Sequence, residues 1–142
     1  TASHRGLVGI SMGGYGALLL ALKHAERFAA AASISGSVYF GHQAVPFHRQ
    51  DDVARLGASL SKDENDLFRL AARFSRARAS LALRLSCGES DHLFQYNLAF
   101  HERLMALGID HDWVPHLGIH NRDTWVDQLP KAIAYVASHI AD

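Results

Sequence analysis

A serine enclosed by glycines is the residue of this chain that is best suited to nucleophilic chemistry. Ser11 lies within residues 9–13, which read GISMG, between a short apolar run and a run of helix-forming residues. The pattern predicts a strand, a sharp turn and a helix, in which the turn lifts the serine hydroxyl clear of the sheet. Glycine is expected at positions 9 and 13 because side chains there would clash where strand and helix cross. A plain tight turn with a capping serine also explains these five residues, so other residues must decide between the two interpretations.

A serine hydroxyl becomes a nucleophile only when a neighbouring base takes its proton. A histidine base in turn needs a carboxylate that fixes its tautomer. In open parallel sheets such residues lie on loops beyond the carboxyl ends of strands. Asp91 follows the third predicted strand and His120 follows the fourth. The order serine, acid, histidine is that of an α/β-hydrolase, so we predict Ser11 as nucleophile, Asp91 as acid and His120 as general base.

Other residues compete for these roles. Glu89 is a rival acid, and Asp91 could simply cap the helix that follows it. Rival nucleophiles end the second strand without enclosing glycines: Ser33, Ser35 and Ser37. His116 and His120 have a spacing that suggests a metal site, but no third ligand is evident, so we predict no metal and no cofactor. Several further histidines have no supporting context: His4, His42, His48, His92 and His111.

Alternating apolar and amphipathic segments predict the scaffold that positions these residues. Strands are predicted over 7–10, 28–35, 81–86 and 110–115. Helices are predicted over 12–25, 61–74, 93–107 and 123–140, the second opening on a capping box at 61–64 and the last kinked or restarted at Pro130. The alternation favours a parallel α/β sheet. An insertion around 37–78, least regular over 37–60, is a candidate lid or pocket wall or a plain surface excursion.

Composition limits the other functions that the chain could have. Its 142 residues suffice for one domain with a core. The 14 basic and 14 acidic side chains balance, so no net field would recruit nucleic acid or an anionic membrane. Cys87 is the only cysteine, which excludes an internal disulfide and is more typical of a cytoplasmic location. No run approaches the roughly 20 apolar residues of a membrane span, and the start at Thr1 leaves the compartment unknown.

Three blocks of residues resemble one family. They are residues 9–18 (GISMGGYGAL), residues 87–91 (CGESD) followed by Asn97 and Phe100, and residues 118–121 (GIHN) followed by Trp125. Together they are similar to the esterase D-type α/β-hydrolases. That family includes short-chain carboxylesterases, S-formylglutathione hydrolases, feruloyl and acetylxylan esterases, and the antigen 85 mycolyltransferases. Arg122 departs from the aromatic residue that relatives often carry there, which puts the local pocket wall in doubt.

The resemblance implies roles for particular residues. It implies Ser11, Asp91 and His120 as the triad and the backbone N–H of Met12 as an oxyanion donor. Residues implied for the substrate pocket are Tyr15, Ser37 and Trp125. The implied activity is that of a serine carboxylesterase, which hydrolyses small esters or thioesters through an acyl-enzyme. The alternatives are acyl transfer of the mycolyltransferase type on the same triad, and a fragment with only a structural or partner-binding role.

The resemblance spans nearly the whole chain and is weakest over residues 38–75. It implies that the chain is the C-terminal half of an α/β-hydrolase fold, with about four parallel strands and without the loop that donates the second oxyanion N–H. The strand at 7–10 would then be an apolar edge. We expect an N-terminal half of the same fold, or a second copy, to pair with that edge.

Overall fold

A four-stranded parallel sheet forms the centre of the computed structural model, which describes residues 1–42 and 64–141. Its strands follow one another across the sheet in chain order: β1 Gly6–Ile10, β2 Ala30–Ile34, β3 Ala82–Gly88 and β4 Asp112–His116. The α-helices in the described ranges are α1 Met12–Lys23, α2 Leu67–Ala77, α3 Phe94–Ala106 and α4 Arg122–Ser138. The predicted fold, a parallel α/β arrangement of about four strands with flanking helices, is confirmed.

Helices cover both faces of the sheet, as the apolar strand sequences require. One core lies between the sheet and α1, α2 and α3, and its fully buried side chains include Leu18, Leu67, Leu83, Leu85 and Phe100. The other lies between the sheet and α4, and consists of Ala30, Ala32, Ile34, Ala132 and Val136. Strand β2 is buried over its whole length because it sits between both layers.

The register of the sheet brings the loops that follow the strands together. Ile10 pairs with Ile34, Ile34 with Ser86, and Ser86 with Val114. Because the strands are parallel, their carboxyl ends lie at one edge, where Ser11, Asp91 and His120 follow β1, β3 and β4. Within the described residues β1 pairs with β2 alone, so β1 lies at the side of the sheet.

The beginning of α2 differs from its prediction. The predicted capping box lies at 61–64, of which 61–63 fall outside the described residues, and Glu64 lies in a turn that precedes the helix. The helix begins at Leu67, because the Oδ1 atom of Asp66 accepts hydrogen bonds from the N–H groups of Phe68 and Arg69, at 2.9 and 3.4 Å. His42 also binds the Asp66 carboxylate, at 3.0 Å, which is a tertiary contact that local sequence does not reveal. The predicted start of this helix was therefore wrong.

The other predicted elements differ from the structure mainly at their ends. The predicted apolar face of α2 is buried, and the helix continues to Ala77. Helix α4 passes through Pro130 without a restart. Half of the proposed insertion around 37–78, residues 43–63, lies outside the described residues, and its described beginning at Ser37 and Val38 is buried. In the described ranges no helix combines the length and the apolar character needed to cross a bilayer.

Candidate active site

Ser11 occupies a strained turn between β1 and α1. Its backbone has φ 56° and ψ −117°, a conformation that costs a side-chain-bearing residue about 1–3 kcal/mol and that the surrounding packing must enforce. Gly9 permits the crossing of strand and helix, since a Cβ atom there would lie 1.9 Å from the carbonyl oxygen of Gly13. The prediction for Gly9 is thus confirmed.

The same prediction for Gly13 is wrong. A Cβ atom at Gly13 would meet nothing within 4 Å, because this position faces away from the strand. The second close approach is at Gly14, where a Cβ atom would lie 2.5 Å from Ser33 Oγ and 3.0 Å from the Cα atom of Gly36. The glycine pair that brings α1 against the sheet is therefore Gly9 and Gly14.

A continuous series of hydrogen bonds joins the three residues predicted as a triad. Ser11 Oγ lies 3.0 Å from His120 Nε2, and His120 Nδ1 lies 2.8 Å from Asp91 Oδ2. With an ionised Asp91, the histidine carries its proton on Nδ1 and Nε2 accepts the hydrogen bond from the serine hydroxyl. The imidazole is thus oriented to take the serine proton.

The two carboxylate oxygens of Asp91 accept hydrogen bonds from different partners, one from the His120 ring and the other from a backbone N–H. Its side chain is fully buried, and its Oδ1 atom accepts a hydrogen bond of 2.8 Å from the N–H of Leu93. Burial alone would raise the pKa of Asp91, but the hydrogen bonds from His120 and Leu93 outweigh it and lower the pKa below its ordinary value. Asp91 therefore closes a local turn with one carboxylate oxygen and faces His120 with the other, whereas the rival Glu89 is exposed.

The loop that carries His120 is attached to the first turn of α4. The side chain of Asn121 accepts a hydrogen bond of 3.0 Å from the N–H of Thr124, and the Thr124 hydroxyl accepts one of 3.3 Å from Ile119 N–H. Gly118 has a φ of 136°, and a Cβ atom there would lie 2.6 Å from the Thr124 side chain. These contacts leave the His120 backbone little freedom.

Met12 is the first residue of α1, directly after Ser11. The first N–H groups of a helix have no intrahelical acceptor, and they lie at the positive end of the helix dipole. The Met12 N–H is thus suited to stabilise negative charge beside Ser11.

The residues predicted for the pocket lie at different depths. Trp125 packs edge-on against the His120 ring, with centroids 4.8 Å apart. The turn between β1 and α1 that carries Ser11, residues 9–13, is called the elbow below. Ser37 is buried close to it, and its N–H donates a hydrogen bond of 3.0 Å to the Ser11 carbonyl. Tyr15 is 4% exposed, and its hydroxyl donates to Asn65 O at 2.6 Å, so its contacts are those of a core residue. Burial and the charge of Asp66 raise the Tyr15 pKa to about 12.

Two residues near the site were missed as functional candidates by sequence reasoning. The His92 ring lies edge-to-face with that of His120, with centroids 4.7 Å apart, and its Nδ1 atom is 3.6 Å from Asp91 Oδ1. Its adjacency to Asp91 was the available signal. Asn97 is buried in α3 and donates hydrogen bonds to the carbonyls of Gly36 and Leu93, at 2.9 and 3.1 Å.

Asn97 and the elbow are connected through one loop. Asn97 holds the Gly36 carbonyl, and the next residue, Ser37, holds the Ser11 carbonyl. Helix α3, the loop after β2 and the backbone of Ser11 are therefore linked by hydrogen bonds at two consecutive residues, Gly36 and Ser37.

Comparisons with known proteins place the chain in a family. The model of the Esterase family, described as "Putative esterase", matches residues 1–136. The comparison with curated proteins found no match.

Solved structures share the fold. S-formylglutathione hydrolase (FrmB) from Staphylococcus aureus is 23% identical, with a TM-score of 0.79, over 95% of this chain and 55% of that one. The fluorophosphonate-binding serine hydrolase FphF of S. aureus is 25% identical, with a TM-score of 0.79 and the same coverage. MPT51 (FbpC1) of Mycobacterium tuberculosis is 17% identical, with a TM-score of 0.71, over 96% of this chain and 60% of that one. The chain spans little more than half the length of these structures, and it corresponds to the C-terminal portion of their α/β-hydrolase fold. By its sequence match and its fold, the chain belongs to this esterase family.

Proposed function

We propose that this chain carries the catalytic triad of a serine carboxylesterase that hydrolyses small esters or thioesters through an acyl-enzyme. The observation that carries the proposal is the hydrogen-bonded series from Ser11 Oγ through His120 to Asp91. Membership of the esterase family supports ester hydrolysis in general. The three hydrogen-bonded residues support a specific mechanism for that hydrolysis, through an acyl-enzyme on Ser11.

In the first half of the reaction, Ser11 Oγ attacks the carbonyl carbon of the ester while His120 Nε2 takes the serine proton. The carbonyl oxygen becomes an oxyanion, which the Met12 N–H stabilises. Asp91 remains ionised and stabilises the imidazolium through Nδ1. The C–O or C–S bond then breaks, His120 passes the proton to the leaving alcohol or thiol, and the acyl group remains on Ser11.

In the second half, water replaces the leaving group. His120 takes a proton from the water as it attacks the acyl carbon, and a second tetrahedral intermediate forms. This intermediate collapses with return of the proton to Ser11 Oγ. The products are the carboxylic acid and the regenerated serine.

A complete site needs a second oxyanion donor and an acyl pocket. We propose that an N-terminal half of the same fold, or a second copy, pairs along the side of β1 that faces away from β2 and supplies them. The loss of one oxyanion donor typically lowers turnover by about 10²–10³-fold. The isolated chain should therefore be a weak esterase that gains activity when that side is paired.

The substrate class follows from the chemistry and from the relatives. Both a small ester and a thioester present the carbonyl that the triad attacks, and one structural neighbour is named for hydrolysis of the thioester S-formylglutathione. The alternative of acyl transfer uses the same triad with an alcohol in place of water. Because the family model that matches the chain is that of an esterase, hydrolysis is the proposed reaction.

A fluorophosphonate probe tests the proposal. The folded chain should be labelled on Ser11, the Ser11→Ala variant should not be labelled, and His120→Ala should be labelled far more slowly. Ser33→Ala is the matched control, because Ser33 is a buried serine near the elbow and should leave labelling unchanged. Absence of Ser11 labelling in the folded chain, with and without an N-terminal half, would refute the triad assignment. Competing alcohols in an ester assay then distinguish hydrolysis from transfer.

A further inference from the structure

Three side chains with metal-binding atoms converge beside the nucleophile. Asp91, His92 and His120 each offer one ligand atom, and these atoms all lie within 4.8 Å of one another. His120 Nδ1 is 2.8 Å from Asp91 Oδ2, and His92 Nδ1 is 3.6 Å from Asp91 Oδ1. Among the described residues, no other group of three or more histidine, cysteine or carboxylate side chains brings its ligand atoms this close together. His116, with its HxxxH spacing to His120, is not part of it.

We propose that these residues form an inhibitory site for a divalent transition-metal ion of the zinc type, a role that rests on the proposed function of His120 as general base. Two imidazole nitrogens and one carboxylate are the ligands that Zn²⁺ prefers. A tetrahedral ion with ligands at 2.0–2.1 Å separates its ligand atoms by about 3.3 Å. The two oxygens of the Asp91 carboxylate each face one imidazole at a distance near that value: Oδ2 lies 2.8 Å from His120 Nδ1, and Oδ1 lies 3.6 Å from His92 Nδ1.

The exposure of the three side chains shows how an ion reaches the site. The side chain of His92 is 54% exposed, that of His120 is 20% exposed and that of Asp91 is buried. Solvent therefore enters from the His92 side. Asp91 and His120 are already aligned by their hydrogen bond, and the exposed His92 ring lies edge-to-face with His120.

An ion at this site blocks the proposed reaction through the tautomer of His120. The triad needs a proton on Nδ1, held by Asp91, and a lone pair on Nε2 that faces Ser11. An ion bound to Nδ1 takes the place of that proton. The neutral ring then keeps its remaining proton on Nε2, which becomes a donor and can no longer deprotonate the serine. Catalysis therefore needs the ring protonated on Nδ1, whereas the bound ion leaves it protonated on Nε2. The ion inhibits the reaction although it binds on the side of the ring away from Ser11.

Another histidine pair gives a weaker candidate. His101 Nδ1 and His111 Nε2 lie 2.7 Å apart, but no third ligand in the described residues converges on them. His101 also stacks on Trp113, with ring centroids 4.9 Å apart, which favours a packing role.

Isothermal titration calorimetry with ZnCl₂ on the metal-free, untagged chain tests the proposal. We expect one ion per chain, and an at least tenfold weaker dissociation constant in both His92→Ala and His92→Gln. His24→Ala is the matched control, because His24 is similarly exposed, at 45%, and lies beside Glu26 far from the site. The proposal is overturned if the wild-type chain takes up no Zn²⁺, or if the His92 variants bind it as tightly as the control.

Labelling of Ser11 by the fluorophosphonate probe gives a second readout. Zn²⁺ should slow labelling at least tenfold in the wild-type chain and in His24→Ala, EDTA should reverse this, and His92→Ala should be insensitive at the same concentration. If His92-dependent binding is found by calorimetry but Ser11 is never labelled, the metal site stands and the proposed function fails. If Ser11 is labelled but the chain binds no Zn²⁺, the proposed function stands and the metal site fails.

Discussion

Ser11 and His120, the proposed nucleophile and base, are held at the same edge of the sheet by different means. Ser11 is positioned by backbone packing, in a strained turn that only glycine at position 9 allows. His120 is positioned by side chains, through the cap of α4 and the carboxylate of Asp91. The elbow thus depends on close backbone approach, which tolerates no added atom, whereas the histidine loop depends on hydrogen bonds that can be removed singly. Single substitutions should therefore distinguish positioning by backbone packing from positioning by side-chain hydrogen bonds.

The largest expected effect is that of Asp91→Asn. An amide cannot stabilise the imidazolium and favours the wrong tautomer, so turnover should fall by about 10⁴-fold while Ser11 keeps its conformation. Steady-state hydrolysis of a small aryl ester measures it. Glu89→Gln, the rival acid, should have wild-type activity; a comparable loss there would contradict the choice of Asp91.

Gly9→Ala should have the next largest effect, on stability. Its Cβ atom would lie 1.9 Å from backbone atoms that cannot move aside, so we expect a loss of about 3 kcal/mol or more in the free energy of unfolding. Denaturant unfolding followed by circular dichroism checks this. Gly13→Ala has open space in a helix and should be neutral or more stable by about 0.5–1 kcal/mol. Equal destabilisation by both variants would contradict a specific requirement for glycine at position 9.

Asn97→Leu tests the link between α3 and the elbow. The variant leaves the buried carbonyl of Gly36 without its side-chain donor, at a cost of about 1–3 kcal/mol. Because Gly36 precedes the residue that holds Ser11, the rate of fluorophosphonate labelling should also fall. Phe100→Leu, a change at a buried position on the same helix, should lower stability without slowing labelling. If both variants slow labelling equally, Asn97 has only a packing role.

The smallest expected effect is that of Asn121→Ala at the start of α4. Loss of this cap should lower stability by about 1 kcal/mol. It should also increase the mobility of His120, seen as a reduced kcat with little change in KM. Asn121→Asp retains a capping oxygen and should behave as the wild type. If Asn121→Ala changes neither the stability nor kcat, the contacts of Gly118 and Thr124 are sufficient to hold the loop without the cap.

The sequence could predict much of this arrangement because many of its determinants are local. The apolar runs marked all the strands of the described sheet, and the glycine-enclosed serine marked the turn at Ser11. Asp91 and His120 could be selected because parallel strands present their carboxyl ends on one side. The errors arose where a residue's environment comes from distant chain: Asp66 caps α2 while it is held by His42, and Gly13 faces open space although it looks equivalent to Gly9.

By itself, therefore, the sequence determined the alternation of strands and helices, the elbow and the order of the three triad candidates, because each depends on neighbouring residues and on periodicity. Only the tertiary structure decided which glycines lie at close approaches, that Asn97 and Ser37 are linked to the backbone of Ser11, and that the His92 ring packs against His120. Those facts depend on distances of a few ångströms between segments far apart in the chain. Sheet register and helix packing set such distances, and no local pattern encodes them.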